Sequence, residues 1–140
     1  LKVQKELMDA TKESREPDYN VVPKSLWTRG DVVAIRKWMH EHFTLGKPPR
    51  AKVLALIQLL AEQGPTLPFP YSSQVQGKIR ELRTRYGRER LRVLYFGAST
   101  REWVLLHGFI KRSPKTPEQD IRIAEARMTE YLERQKRVEP

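Results

Sequence analysis

The chain has 140 residues, of which 27 are Lys or Arg and 17 are Asp or Glu, so its formal charge is +10 and its pI about 10.1. Such a surplus implies a polyanionic partner, whether nucleic acid, an anionic membrane surface or an acidic protein. A hydrophobic share of 39% and a mean hydropathy of −0.67 describe one globular domain with a modest core, and the lack of cysteine excludes disulfides, thiolate metal sites and a cysteine nucleophile.

In chain order, residues 1–18 are polar, with Val3, Leu7 and Ala10 forming a weak helical stripe closed by Pro17. They are expected to be a solvated tail or an extra helix. Tyr19 to Val22 is a short strand candidate stopped by Pro23. Asp31 suits an N-cap, and Val32, Ile35, Met39 and Phe43 follow at helical spacing with Trp38 beside them, which predicts a first helix. His40 and His42 lie two residues apart on that helix and do not face each other, so no metal site is expected there. After Gly46-Lys47-Pro48-Pro49 a second helix is predicted from about Arg50, with Val53, Leu54, Ile57, Leu60 and Ala61 as its buried face and Gly64-Pro65 as its stop. The short connection predicts an antiparallel helix pair. Leu67-Pro68-Phe69-Pro70-Tyr71 is a non-helical crossing.

From Gly77 to Pro117 eleven cations stand against three acids, which accounts for +8 of the net +10. The same stretch is rich in β-branched and aromatic residues, broken at Tyr86-Gly87 and Gly97-Thr100, and is expected to form a basic antiparallel sheet with strands 78–86, 90–96 and 102–112. Thr116-Pro117-Glu118-Gln119 then reads as a capping box with proline at the first helical position. Ile121, Ala124, Met128, Tyr131 and Leu132 make the stripe of a closing helix, and residues 135–140 are a fraying tail. The fold class is therefore α+β, with a small antiparallel sheet against two N-terminal helices and a C-terminal helix, in one domain over 19–134. No apolar run approaches the roughly 18 residues of a membrane span, and no signal-peptide core is present, so a soluble cytoplasmic protein without membrane contact is expected.

Strand alternation places Leu82, Leu91, Val93, Val104 and Leu106 on a core face and gathers Glu81, Arg83, Arg85, Arg92, His107 and Lys111 on the other. Arginines fixed on a sheet suit phosphate, and interleaved aromatics suit exposed bases. That set also holds what intramolecular RNA cleavage needs: a base for the 2′-hydroxyl, cations around the phosphorane and an acid for the leaving oxygen, with no requirement for metal or cofactor. Candidate catalytic residues are Arg83, Arg92, His107, Glu81 and Lys111. Lys78, Arg85, Arg90, Arg112, Lys115 and Tyr95 are candidate RNA contacts. For His107 three roles stay open: proton transfer, phosphate contact, or a satisfied core residue.

Phe69-Pro70, Gly77, Glu81-Leu82-Arg83, Arg92-Val93-Leu94-Tyr95-Phe96, Leu105-Leu106-His107-Gly108-Phe109, Lys111-Arg112 and Lys115-Thr116-Pro117 together resemble the RelE superfamily of toxins, in its HigB and phage-derived branch. The resemblance covers about Tyr19 to Leu132. It implies the toxin of a type II toxin–antitoxin pair, a ribosome-dependent endoribonuclease that cuts mRNA. It also implies neutralisation by a HigA-like antitoxin, with operator DNA bound only by the toxin–antitoxin complex. In such relatives arginines of the second and third strands hold the scissile phosphate, which corresponds to Arg83 and Arg92. Where relatives carry lysines before the sheet this chain has Ser72-Ser73-Gln74-Val75-Gln76, and residues 1–18 lie outside the usual toxin. The alternative reading is a non-catalytic RNA- or ribosome-binding module. A DNA-binding regulator acting alone is disfavoured, because no helix-turn-helix is readable and the charge sits on strands.

Overall fold

The computed structural model describes residues 19–22, 31–35, 41, 45–98 and 102–138. Its centre is a four-stranded antiparallel meander, with β3 at Ser72–Gln76, β4 at Ile79–Tyr86, β5 at Glu89–Gly97 and β6 at Glu102–Lys111. Gly77 and Gly87, with φ of 56° and 60°, make the two tight turns that join the first three of these strands. A β-branched or bulky residue would be strained there. On the far edge, β1 (Tyr19–Val22) and β2 (Asp31–Ile35) form a hairpin whose second strand runs parallel to β6, giving a sheet ordered β1-β2-β6-β5-β4-β3.

The predicted strand at Tyr19 to Val22 is present, whereas the predicted helix beginning at Asp31 is not: Asp31–Ile35 is strand. Val32, Val33 and Ile35 are β-branched, and pairing on both sides satisfies a backbone that an i, i+3 apolar pattern over five residues could equally have coiled. Trp38, Met39, His40, His42 and Phe43, and with them the expected helix pair, lie outside the described residues, as do residues 1–18. Strand β3 was not anticipated. SSQVQ has little intrinsic strand preference, and it is held by its ladder to β4 and by the buried Ser72 hydroxyl, 2.6 Å from the Tyr95 hydroxyl.

Helix α1, Lys47–Gln63, buries Val53, Leu54, Leu56, Ile57, Leu60 and Ala61. It starts three residues before Arg50, because Pro48 and Pro49 fall in the first turn, where no N–H need be donated. It ends at Gly64 (φ 55°), whose N–H reaches the Leu60 carbonyl. Helix α2, Glu118–Val138, carries Glu118 and Asp120 in its first turn, where they favour the helix dipole, and the Pro117 carbonyl accepts from Ile121. The helix thus begins one residue later than the capping-box reading, and the Thr116 hydroxyl points instead at Glu81.

The helices lie on opposite sides of the sheet. Opposite Leu94 and Tyr95 the ladder slips by one residue, so Leu94 pairs with His107 but Tyr95 pairs with Leu105 and Phe96 with Val104. This bulge reverses the alternation of β6. Val104, expected beside Leu82 and Val93, instead shares a side with Phe96, whose ring meets Tyr131 of α2 edge-on at 6.1 Å. Leu105 and Trp103 join Tyr95 on the α1 side, where the Tyr95 and Trp103 rings are 6.1 Å apart. As a result β5 is buried on both faces from Leu91 to Phe96.

Trp103 is seated between two glycines. A Cβ on Gly97 would lie 2.8 Å from Trp103 Cζ3, and one on Gly64 would lie 3.3 Å from Cζ2. Gly97→Ala is therefore expected to cost about 2 kcal/mol, read as a lower midpoint in urea at unchanged slope. A midpoint equal to wild type would show that the indole can swing aside.

Candidate functional site

On the α2 side the registers of β4, β5 and β6 define three rows of three residues. Glu81, Leu94 and His107 form the first, Arg83, Arg92 and Phe109 the second, and Arg85, Arg90 and Lys111 the third. The sequence assigned these charged residues to one face, and the strand pairings bring them together. Three directly opposed pairs are like-charged: Arg83 with Arg92, Arg85 with Arg90, and Arg90 with Lys111. Opposed like charges destabilise a sheet, so the grid stores repulsion that an anion would relieve.

Glu81 is the acid inside this grid. Buried to 5% exposure, its Oε1 lies 3.6 Å from Arg83 Nε and 3.8 Å from Arg92 Nε, and its Oε2 accepts from the Thr116 hydroxyl at 3.4 Å. Arg92, also 5% exposed, is fixed by Nη1 donating to the Leu91 carbonyl at 3.0 Å and the Thr84 carbonyl at 3.4 Å, while its Nε has no hydrogen-bond acceptor. Burial lowers the Arg92 pKa; Glu81 opposes that, and Arg83, Arg90 and Arg85 add to it. Lys111 is held below its ordinary pKa for similar reasons: burial first, then Arg92, Arg83 and Arg90, with Glu81 opposing. A lysine so placed gives up its proton more readily than one in water.

A cleft of about 660 Å³ is lined by Arg83, Arg85, Arg90, Arg92 and Lys111 of the second and third rows and, from the α1 side, by Lys52, Leu56 and Leu59, with Pro70 and Tyr71 between them in sequence. Among the remaining predicted contacts, Lys78, Arg112 and Lys115 are exposed. Lys78 sits at the β3–β4 turn and Lys115 before α2, both away from the cleft lining, and Arg112 lines a smaller hollow of about 350 Å³ with Leu91, Val93 and Phe109. Tyr95 does not fit an RNA contact. It is 2% exposed, on the α1 side of the sheet, with its hydroxyl against Ser72.

His107, 5% exposed, lies beyond the cleft lining. Its Nε2 is 2.7 Å from Asp120 Oδ1, and its Nδ1 is 3.1 and 3.2 Å from the two Glu41 oxygens, with Phe109 stacked 5.6 Å from its ring. Arg127 grips the same Glu41 through Nη1 and Nη2 at 3.1 and 3.2 Å and donates to the Leu106 carbonyl at 2.8 Å. Burial alone would lower the imidazole's pKa, but the bonds to Glu41 and Asp120 outweigh it and hold it above its ordinary 6.5. For Glu41 burial acts upward, and His107 and Arg127 bring the carboxyl below its ordinary 4.5. With each ring nitrogen against a carboxylate, His107 ties the chain before α1, strand β6 and helix α2 together. Glu41, Asp120 and Arg127 were missed in the sequence. The only sequence signal was the seven-residue spacing of Asp120 and Arg127, which puts both on one helix face.

A family model described as phage derived protein Gp49-like (DUF891) matches residues 43–129, more than half of the chain. The chain belongs to the Gp49-like family. That family lies within the RelE/ParE-like toxin superfamily, so this is a toxin-like, phage-derived protein, and the likeness read in the sequence holds at that level. Comparison with curated proteins returns no match. The Gp49-like match spans α1, the meander and most of α2, and so contains all nine positions of the grid, while the β1–β2 hairpin and Glu41 precede it. Among the described residues no helix is long and apolar enough to cross a membrane, and no group of three or more His, Asp or Glu residues is arranged to hold a metal ion.

Proposed function

We propose that this Gp49-like protein is the toxin of a type II toxin–antitoxin pair, of the HigB branch, and that it cleaves mRNA at the ribosome without a metal ion. The observation that supports this reading best is the set of opposed cations in two adjacent rows, Arg83 with Arg92 and Arg85 with Arg90 and Lys111, all lining one cleft, with the buried carboxylate of Glu81 next to Arg83 and Arg92. A phosphodiester supplies the charge this arrangement lacks. In the proposed step the 2′-oxygen attacks the phosphorus, its proton passing to a base, and the bond to the 5′-oxygen breaks as that oxygen takes a proton. The products are a 2′,3′-cyclic phosphate and a 5′-hydroxyl. Arg83 and Arg92 neutralise the phosphorane, Glu81, whose carboxylate lies between their guanidinium groups and the Thr116 hydroxyl, accepts the first proton, and Lys111, with its lowered pKa, delivers the second. Cytoplasmic action, a HigA-like antitoxin that covers the cationic face, and operator binding by the complex alone complete the proposal.

Mapping transcript 5′ ends after induced expression tests it: new codon-phased ends are expected, and none should appear for Arg83→Ala with Arg92→Ala. Cleavage by purified protein and ribosomes is expected to persist in EDTA; a strict requirement for a divalent ion would refute the mechanism. Lys111→Arg keeps the charge but removes the readily released proton, so it should slow cleavage about 10²-fold while RNA affinity stays within twofold. Equal loss of both would make Lys111 a binding residue only. A second reading, a non-catalytic RNA- or ribosome-binding module, draws on the engagement of both His107 nitrogens by carboxylates. Slowed translation without new transcript ends would favour it.

A further inference from the structure

The function above leaves unused the largest exposed apolar side chains among the described residues. Phe69 is 68% exposed and Tyr71 46%. Both belong to the Pro68–Tyr71 turn, closed by the Tyr71 N–H on the Pro68 carbonyl at 3.0 Å and extended by the Ser72 N–H on the same oxygen at 3.1 Å. Exposed aromatics on a loose loop would collapse onto the nearest apolar surface. These are held out, and the residue holding them is Arg83. Its backbone N–H donates to the Tyr71 carbonyl at 2.9 Å, and its guanidinium carbon lies 4.8 Å from the centre of the Phe69 ring. One face of the phenyl ring is thus backed by a cation, while Phe69 as a whole stays 68% exposed. Tyr71 lines the cleft beside Arg83, Arg85 and Arg92.

We infer that Phe69 and Tyr71 form a stacking platform for an unstacked nucleobase adjoining the phosphate held by Arg83 and Arg92, so the ligand of this cleft is single-stranded RNA. The inference rests on the RNA reading of the cleft and sharpens it. A duplex keeps its bases stacked inside and offers an aromatic rim only its backbone, whereas a single strand can splay a base onto an open ring. One residue then serves both halves of a nucleotide: Arg83 turns its charge to the phosphate and its planar surface to the ring beneath the base. Stacking is sequence-tolerant but favours purines, the larger surfaces.

The test is fluorescence anisotropy of the full chain with a short labelled oligoadenylate and with an A-form duplex, both 2′-O-methylated so that neither can be cut. Phe69→Ala is expected to raise the single-strand Kd about tenfold and to leave duplex binding and the salt dependence unchanged. Phe69→Trp should bind like wild type, and Phe69→Leu, apolar but without a π face, should be as weak as the alanine variant. At 68% exposure the side chain contributes little to the core, so thermal melts of all three should match wild type. Alanine and leucine variants within twofold of wild type would overturn the platform while leaving the cleft reading intact. Full recovery by leucine would reduce Phe69 to apolar packing and also overturn it. Unchanged RNA affinity together with lost binding of an antitoxin protein would assign the surface to a protein partner instead. If wild type binds neither oligonucleotide, the RNA reading of the cleft itself fails.

Discussion

Arg92→Ala is expected to lower RNA cleavage about 10³-fold, the scale of losing one preorganised donor at a charged transition state, while the protein folds at least as well as before. The second half of that expectation separates function from structure. Arg92 is almost fully buried, it faces Arg83 across the ladder, its Nε is unsatisfied, and burial already disfavours its charge. A residue kept for stability would not be arranged so. Glu81 keeps Arg83 and the Thr116 hydroxyl when Arg92 is gone, so no carboxylate is stranded. Arg92→Leu should then melt at or above the wild-type temperature, as expected where a site is maintained against the interest of the fold. Arg92→Lys keeps the charge but loses the planar fork and is expected to recover no more than a tenth of the lost activity. Cleavage within tenfold of wild type for a folded Arg92→Ala protein would remove Arg92 from the site. Unfolding of Arg92→Leu would show that its bonds to the Leu91 and Thr84 carbonyls matter more than its desolvation.

The grid was legible because its information is local. A strand with period two assigns Glu81, Arg83 and Arg85 to one side whatever the rest of the chain does, and hairpin turns at Gly77 and Gly87 leave few registers available. Legibility ended where one residue's position depended on a distant one. The bulge opposite Leu94 and Tyr95 has no composition of its own, yet it moves Val104 across the sheet and sets the side on which Leu105 lies. Strand β3 exists because β4 is beside it, and Asp31–Ile35 is extended because β6 offers a parallel edge. The carboxylate partners of His107 come from positions 66 residues before it and 13 after, brought together only by packing. The platform residue Phe69 was visible as a letter in a proline-rich crossing, but its exposure was not.

Those long-range partners decide what His107 does. His107→Gln is expected to cost about 3 kcal/mol near pH 6, because one neutral amide cannot satisfy two carboxylates that an imidazolium bridges. The loss should depend on pH in a defined direction. The folded-state pKa of His107 lies above its ordinary 6.5, so the stabilisation it brings is complete below about 6.5 and disappears as pH rises through the folded value. Glu41, held below its ordinary 4.5, contributes above 4.5 and stops contributing on further acidification. The difference in unfolding free energy between wild type and variant should therefore peak between these pH values and shrink on the alkaline side. A difference that is flat from pH 5 to 9 would mean that His107 packs as a neutral ring. Activity gives the complementary reading. The network pins the first turn of α2 through Asp120, and that turn follows Thr116, whose hydroxyl meets Glu81. Loosening it should displace Glu81 slightly and slow cleavage less than tenfold, whereas removal of a proton-transferring histidine should cost 10² or more. A large loss of cleavage at unchanged stability would make His107 a member of the site, and a large loss of stability with near-normal cleavage would make it the clamp that keeps α2 over the carboxylate end of the grid.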